Sequence, residues 1–266
     1  MGNQAQSPLQ ELPKFEDVSF ELLAELDYTK HVGGQQATEE LIELCHINKD
    51  TYVLDVGCGV GMTPCYIAKE HGCRVVGVDL RDAMIARSKE RAKRKGVEDR
   101  VEFRVADALD LPFDEALFDV VLCESVVAFV RDKQKAVGEF VRVTKPEGYV
   151  GLSESTWVKE PSPELLGYLS RTFGRGLEVL PPEGWEGLLK SAGLRDIVVR
   201  TDEITVRSET RNRLRRIGGV RGLVRILYRM LLLLIKRPAY RSFMKEAFSS
   251  PELIGDWGYG LYVGKR

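Results

Sequence analysis

The chain is short of the residues that staple or metallate small folds. It has three histidines, His31, His46 and His71, and five cysteines, Cys45, Cys58, Cys65, Cys73 and Cys123. So few histidines, and no metal-type spacing of the cysteines, predict no protein-bound metal. An odd set of cysteines scattered through predicted elements reads as buried, reduced thiols in a cytoplasmic protein, not a disulfide framework. Met1 to Lys14 is polar and proline-punctuated, with no basic start followed by an apolar run, so no secretory signal is expected there. The sequence also lacks an internal repeat or a low-complexity tract.

What is present is globular in character. The 266 residues are 44% hydrophobic and 30% charged, enough for one large α/β domain with a real core. The net charge of −1 conceals an asymmetry: Arg207 to Lys245 holds twelve Lys or Arg against the single acid Glu209, a local +11 that leaves −12 for the remainder. One segment is therefore built for a different partner from the rest.

Apolar periodicity predicts strand Val53–Val56, helix Thr63–Glu70, strand Arg74–Val78, helix Asp82–Lys95 and strand Val101–Val105. Strand Phe118–Cys123, helix Asp132–Val143 and strand Tyr149–Glu154 follow, with turns at Lys95-Gly96, Lys145-Pro146 and Glu147-Gly148. Such alternation predicts an α/β fold with a doubly wound sheet and a ligand crevice at the carboxyl ends of its strands. Upstream, Phe15–Lys30 and Gln35–Cys45 read as helices broken at His31-Val-Gly-Gly34. Downstream, helices Glu164–Phe173 and Glu183–Ala192 precede strand Asp196–Val206, a helical insertion Ser208–Ile254 and a last strand Gly258–Gly264. The whole reads as one domain: an N-terminal helical cap (1–48), a cofactor-binding core (49–156), acceptor-side helices and a strand (157–206), a basic helical insertion (207–256) and the last strand (257–266).

Within that frame Val53 to Gly61 reads V-L-D-V-G-C-G-V-G, and Val75 to Asp79 reads V-V-G-V-D. Gly57, Gly59 and Gly61 let the backbone turn sharply and approach a ligand closely. Asp79 lies 20 residues after Gly59, where an acidic side chain can take both ribose hydroxyls of a nucleoside. A dinucleotide fingerprint would need its third glycine at Met62; here it is Gly61, and Asp55 precedes the turn. A carboxylate there repels a pyrophosphate but suits an ammonium group.

This pattern resembles the class I S-adenosylmethionine-dependent methyltransferases, whose first motif is acidic-x-Gly-x-Gly-x-Gly. The resemblance implies a mostly parallel seven-stranded sheet with helices on both faces, a final hairpin, and a helical insertion before the last strand. It implies S-adenosylmethionine as methyl donor and S-adenosylhomocysteine as product. Asp55 would then organise the methionine end, Gly57, Cys58, Gly59 and Gly61 would bring backbone against the donor, Asp79 would bind the ribose, and Leu80 would pack on the adenine. Arg104-Val-Ala-Asp107-Ala108, followed by Leu109-Asp-Leu-Pro-Phe113, resembles the family's adenine motif, with Asp107 accepting from the amino group and the Ala108 amide donating to a ring nitrogen. Plainer readings stand beside these: Asp55 and Asp79 as caps for backbone donors, Cys58 as a small residue tolerated in a turn, Asp107 in a surface turn.

At the exit of the fourth strand, Cys123-Glu-Ser-Val126 stands where methylases of exocyclic amines and side-chain amides carry Asn/Asp-Pro-Pro-aromatic, and Cys123 lacks the Pro-Cys context of cytosine methylases. Val141-Arg-Val-Thr-Lys-Pro-Glu-Gly-Tyr-Val150, continued by Glu154 and Ser155, resembles small-molecule and quinone methyltransferases, although Thr144, Glu147 and Ser153 depart from the quinone pattern. The acceptor is expected to be small and apolar or lipid-like, a quinone-type ring methylated at carbon or oxygen first, a phospholipid headgroup methylated at nitrogen next. A non-catalytic donor-binding regulator and an RNA methyltransferase are the other classes in view. Because the transfer is an in-line SN2 displacement from a sulfonium, positioning does most of the work. His31, Glu124 and Tyr168 are the candidates to face the methyl, Glu124 touching the donor as well. His31 reads as base, lid or plain structural residue.

In the basic segment Arg221, Arg225 and Arg229 recur every four residues. Val220, Leu223, Val224, Leu227, Leu231 and Leu234 form the other side, and the run Met230–Ile235 is too short to cross a bilayer. A cationic amphipathic helix over 220–237 fits contact with an anionic membrane surface, a cap over an apolar substrate channel, or an intramolecular or homodimer helix whose leucines are core and whose arginines are solvated. Few aromatics interleave with the arginines, which argues against nucleic acid.

Overall fold

The computed structural model describes residues 22, 24–27, 31–173, 177–203, 219–236 and 257–266. Helix α1 (Gly34–Leu44) leads into β1 (Tyr52–Val56), α2 (Met62–Glu70), β2 (Arg74–Asp79), α3 (Asp82–Lys95) and β3 (Val101–Val105). Then come β4 (Phe118–Glu124), a 3-10 turn at Val127–Phe129, α4 (Lys133–Val143), β5 (Thr144–Trp157), α5 (Pro163–Phe173), α6 (Pro182–Ser191), β6 (Arg195–Glu203), α7 (Gly219–Lys236) and β7 (Trp257–Lys265). The strands form one seven-stranded sheet in the order β3-β2-β1-β4-β5-β7-β6. Neighbours from β3 to β5 run parallel, and β7 is antiparallel to both β5 and β6.

Local chemistry accounts for the boundaries. α3 stops at Gly96, whose φ of 66° is the left-handed conformation that glycine adopts without a Cβ penalty, and Lys93, Arg94 and Lys95 complement the negative end of its dipole. α4 starts where the Asp132 side chain accepts from the Lys135 N–H, and α6 starts at Pro182, whose missing N–H costs nothing in a first turn. The central strands are buried on both faces, which is why they read as unbroken apolar runs. One core layer gathers Leu41, Ile67, Val75, Phe103 and Leu122; the other gathers Leu54, Val76, Phe140, Leu152, Trp185 and Tyr262. All five cysteines are free and buried.

Two expectations are corrected. The turn expected at Lys145-Pro146 and Glu147-Gly148 is instead looped out within β5: Phe118 pairs with Thr144 while Val120 pairs with Tyr149, and Glu147 takes a φ of 67°. Turn-forming residues here make a bulge because strand pairing resumes on both sides of them. In the insertion, of which 219–236 lies within the described residues, the leucine side is not the packed side: Arg225 is exposed as expected, but so are most of the apolar residues expected opposite it. Ile226, Met230, Leu233 and Leu234 pack on Leu22 and Leu26, while Leu223, Val224, Leu227, Tyr228, Leu231 and Ile235 are exposed. Arg229 turns inward, 3.9 Å from the buried Asp27 carboxylate, which also takes Arg91 at 2.8 Å and Arg94 at 2.6 Å. Arg229 shares a helix face with Ile226 and Leu233, so the acid at Asp27 draws this arginine to the packed seam. Arg91 in turn donates to the Val60 carbonyl at 2.8 Å, tying cap, insertion and glycine turn together.

Candidate active site

Strand order reverses between β1 and β4, and the crevice at that switch point is where an open α/β sheet receives a ligand. The β1–α2 turn fills one side of it. Gly57, Gly59 and Gly61 all have positive φ, at 77°, 54° and 74°. The N–H groups of Gly57 and Cys58 donate to the Val78 carbonyl at 2.8 and 2.9 Å, fastening the turn to the end of β2. A Cβ on Gly57 would come within 2.2 Å of Val126 Cγ2, and one on Gly61 within 2.9 Å of Phe103 and Ser88. Glycine is thus demanded twice over, by conformation and by close approach. Burial pushes the Cys58 thiol well above its ordinary range, so it is a packing residue and not a nucleophile.

At the end of β2, Asp79 Oδ2 accepts from the Gly59 N–H at 2.9 Å and Oδ1 from the Arg81 N–H at 3.0 Å. The N-cap of α3 is Arg81 and carries no side-chain cap bond, so Asp79 shapes the turn without capping the helix. Each of its oxygens keeps a second lone pair for a ligand hydroxyl. Leu80 is 66% exposed, and Val105, paired with Asp79 across the β2–β3 ladder, is 45% exposed. Two uncovered apolar side chains beside a carboxylate suit the faces and edge of a nucleobase. Asp107 is exposed and accepts from the Leu109 N–H at 2.9 Å, forming a turn with half-buried Ala108 just beyond β3.

The other side of the crevice is acidic and sealed. Asp55 is 2% exposed on β1; burial raises its carboxyl well above the usual range, and the charges of Glu124 and Asp79 raise it further. None of these influences is positive. Glu124, 8% exposed at the end of β4, accepts from Thr38 Oγ1 at 2.8 Å and Thr63 Oγ1 at 2.6 Å. His31, 7% exposed, lies with Nε2 3.2 Å from Thr38 Oγ1 and 3.7 Å from Glu124 Oε1, and with Nδ1 3.1 Å from the Val32 carbonyl. The His31 ring thus sits between the Val32 carbonyl and the Thr38–Glu124 pair, one nitrogen toward each. Ser125 follows in the left-handed region, φ 58°, and its hydroxyl takes the Val32 N–H at 3.2 Å, linking β4 to the loop before α1. The geometry therefore joins His31 to Glu124 and brings both to Asp55 and the glycine turn. The Tyr168 side chain lies outside the described residues.

A donor with an ammonium, a sulfonium, a ribose and an adenine fits this set: an acidic wall with no counter-cation at Asp55 among the described residues, spare carboxylate lone pairs at Asp79, an apolar slot at Leu80 and Val105. Comparison with known proteins gives the same answer. A family model described as "Methyltransferase domain" matches residues 54–152. An uncharacterised protein of Haemophilus influenzae is 30% identical over 196 residues, covering 73% of this chain and 78% of that one. Phosphoethanolamine N-methyltransferase 1 of Zea mays is 33% identical over 174 residues, 64% of this chain. The chain belongs to the class I S-adenosylmethionine-dependent methyltransferases.

The methyltransferase spans 34% of the length of the maize relative. In fold it is similar to Haemonchus contortus phosphoethanolamine N-methyltransferase 2, solved with phosphomonomethylethanolamine and S-adenosylhomocysteine, at TM-score 0.71 and 22% identity over 96% of this chain and 58% of that one. Its donor is S-adenosylmethionine. Sequence reasoning missed Thr38, Thr63, Val105 and Ser125. The threonines sit in helices as ordinary polar residues, and Val105 reads as one more strand valine; only the meeting of α1, α2 and β4 gives them a role.

Proposed function

We propose that this methyltransferase methylates the nitrogen of a small amine, of the kind a phospholipid headgroup carries. The observation that carries the reading is the buried Glu124, clamped by Thr38 and Thr63 and neighboured by Asp55, with His31 beside it. Such a wall attracts a cationic acceptor and has little to offer a quinone ring. The phosphoethanolamine relatives support the same direction, and they lend nothing to the quinone preference.

When bound, the donor supplies an electrophilic methyl on a sulfonium. An amine arrives as ammonium and must lose a proton before its lone pair can form the new N–C bond. Glu124 is the carboxylate suited to take that proton, because its two threonine donors fix both oxygens. His31, held between the Val32 carbonyl and Thr38, anchors the loop before α1 beside Glu124 and is not the base. Asp55 and Asp79 hold the donor's charged and sugar ends, and Leu80, Val105, Asp107 and Ala108 its base. Tyr168 remains a candidate to face the acceptor from α5.

The test is label transfer from methyl-labelled donor to phosphoethanolamine, ethanolamine and a demethylated quinol side by side. Label in an amine, lost in Glu124→Gln, is the expected result. Label in the quinol alone would refute the amine assignment while leaving the donor site intact.

A lipid-surface role for α7 has its own observation. Val224, Leu227, Tyr228, Leu231 and Ile235 are 54–62% exposed along one side of a helix lying in a segment with a charge of +11. No described helix is long and apolar enough to cross a membrane, so the contact would be at the surface. Flotation with liposomes containing anionic lipid supports it; a concentration-dependent dimer without flotation would assign the stripe to a second copy, and salt-sensitive RNA retention would assign the segment to RNA.

A further inference from the structure

Glu154 belongs to no step above, yet it is fully buried in the middle of the sheet. Its Oε1 accepts from the Val126 N–H at 2.9 Å and the Val127 N–H at 2.7 Å. Its Oε2 has no hydrogen-bond partner among the described residues. The two donors belong to the turn leaving β4, and three links run from that turn into the donor site. Glu124 and Ser125 immediately precede it. The Ser125 N–H donates to the Ser153 carbonyl at 2.7 Å, and the Ser125 hydroxyl holds Val32. Val126 presses directly on Gly57, at the spot where a Cβ would stand 2.2 Å from Cγ2.

Without Glu154 the N–H groups of Val126 and Val127 would be buried donors at the head of a short 3-10 turn, with no intra-turn acceptor to take them. A residue in the left-handed region just before them is stable only if its surroundings hold it there. We propose that Glu154 is a positioning residue for the donor site, a remote cap that fixes the β4 exit turn and through Val126 sets the glycine turn against which the donor lies.

The environment of the carboxyl fits that role. Burial raises it to about 7, opposed by the N–H groups of Val126, Val127 and Ala128 and by the charge of Lys133. Lys133 on α4 is itself bound to the Val130 carbonyl and to Glu178 Oε2, both at 2.9 Å. From β4, Cys123 lies near enough for the Glu154 charge to raise its thiol, and from β7 the Tyr262 ring covers Gly260, the residue paired with Glu154. The ionised carboxylate accepts both N–H bonds more strongly than the acid does. Donor affinity should therefore tighten as pH rises through about 7.

The test uses S-adenosylhomocysteine binding by calorimetry, which needs no acceptor and so stands apart from the amine assignment. Glu154→Gln keeps the volume and one oxygen acceptor; Glu154→Leu keeps the volume and loses the acceptor. Expected is an affinity within about threefold of the parent for Glu154→Gln, and a loss of about tenfold or more for Glu154→Leu at a temperature where its melting curve shows it folded. The parent profile should inflect near pH 7, and Glu154→Gln should lose that inflection while keeping those set by Asp55 and Asp79. A folded Glu154→Leu that binds like the parent overturns the proposal. If Glu154→Leu does not fold, parallel pH profiles for the parent and Glu154→Gln overturn it equally.

Discussion

Replacing Asp79 with alanine separates what this carboxylate does for the fold from what it does for the donor. In the fold it accepts two backbone N–H bonds, from Gly59 at 2.9 Å and Arg81 at 3.0 Å. Leaving these partly buried donors unmatched costs about 1–3 kcal/mol each at most, less where water reaches them. Toward the donor, its two free lone pairs take the ribose hydroxyls in charge-assisted bonds worth about 1.5–3 kcal/mol each. Losing both is about 3–6 kcal/mol, which at 1.4 kcal/mol per decade is a loss of at least about a hundredfold in affinity. Urea unfolding measures the first quantity and calorimetric titration with S-adenosylhomocysteine the second, on the same Asp79→Ala preparation. Asp79→Asn, which keeps one oxygen acceptor, should fall between parent and alanine in both. A folded Asp79→Ala with parental affinity would refute the ribose role and return Asp79 to the status of a turn residue.

Other outcomes follow from the same geometry. Gly57→Ala places a side chain at φ 77° and 2.2 Å from Val126, so about 1–2 kcal/mol of backbone cost joins about 1–3 kcal/mol of overpacking; a loss below about 1 kcal/mol in urea unfolding contradicts the close approach. Glu124→Gln should slow single-turnover methyl transfer to an amine by about a hundredfold, the lower range for a general base, with much less change in donor affinity. Glu154 has a folded value of about 7 against 4.5 for a free carboxyl, so the unfolded chain loses its proton first. Its contribution, about 3 kcal/mol, is complete below pH 4.5 and is lost as pH rises through about 7; urea unfolding of Glu154→Gln should lack that slope. Leu227→Asp with Leu231→Asp should abolish liposome flotation without altering S-adenosylhomocysteine affinity, since both are exposed on α7; retained flotation moves the lipid contact elsewhere.

The donor half of this protein is written locally. Asp55, the three glycines and Asp79 lie within one strand–turn–helix–strand unit, so their spacing along the chain is already their arrangement in space. Periodicity likewise located every strand of the sheet, most plainly β1, β2 and β4, where burial on both faces leaves an unbroken apolar run. The bulge at Glu147-Gly148 was not legible, since the same residues form a turn or a bulge according to whether pairing resumes beyond them. Nor could the sequence tell which side of α7 is packed: arginines and leucines alternate around it, and the buried Asp27 of a distant segment decides that Arg229 turns inward. The buried polar cluster at the ends of β4 and β5 is the clearest case of tertiary decision. Thr38, Thr63, Glu124, His31 and Glu154 come from five separate segments, and each is unremarkable in its own. They meet because the parallel sheet gathers the ends of β1, β4 and β5 under one loop, where Glu124 and Glu154 take their hydrogen-bond donors from other segments.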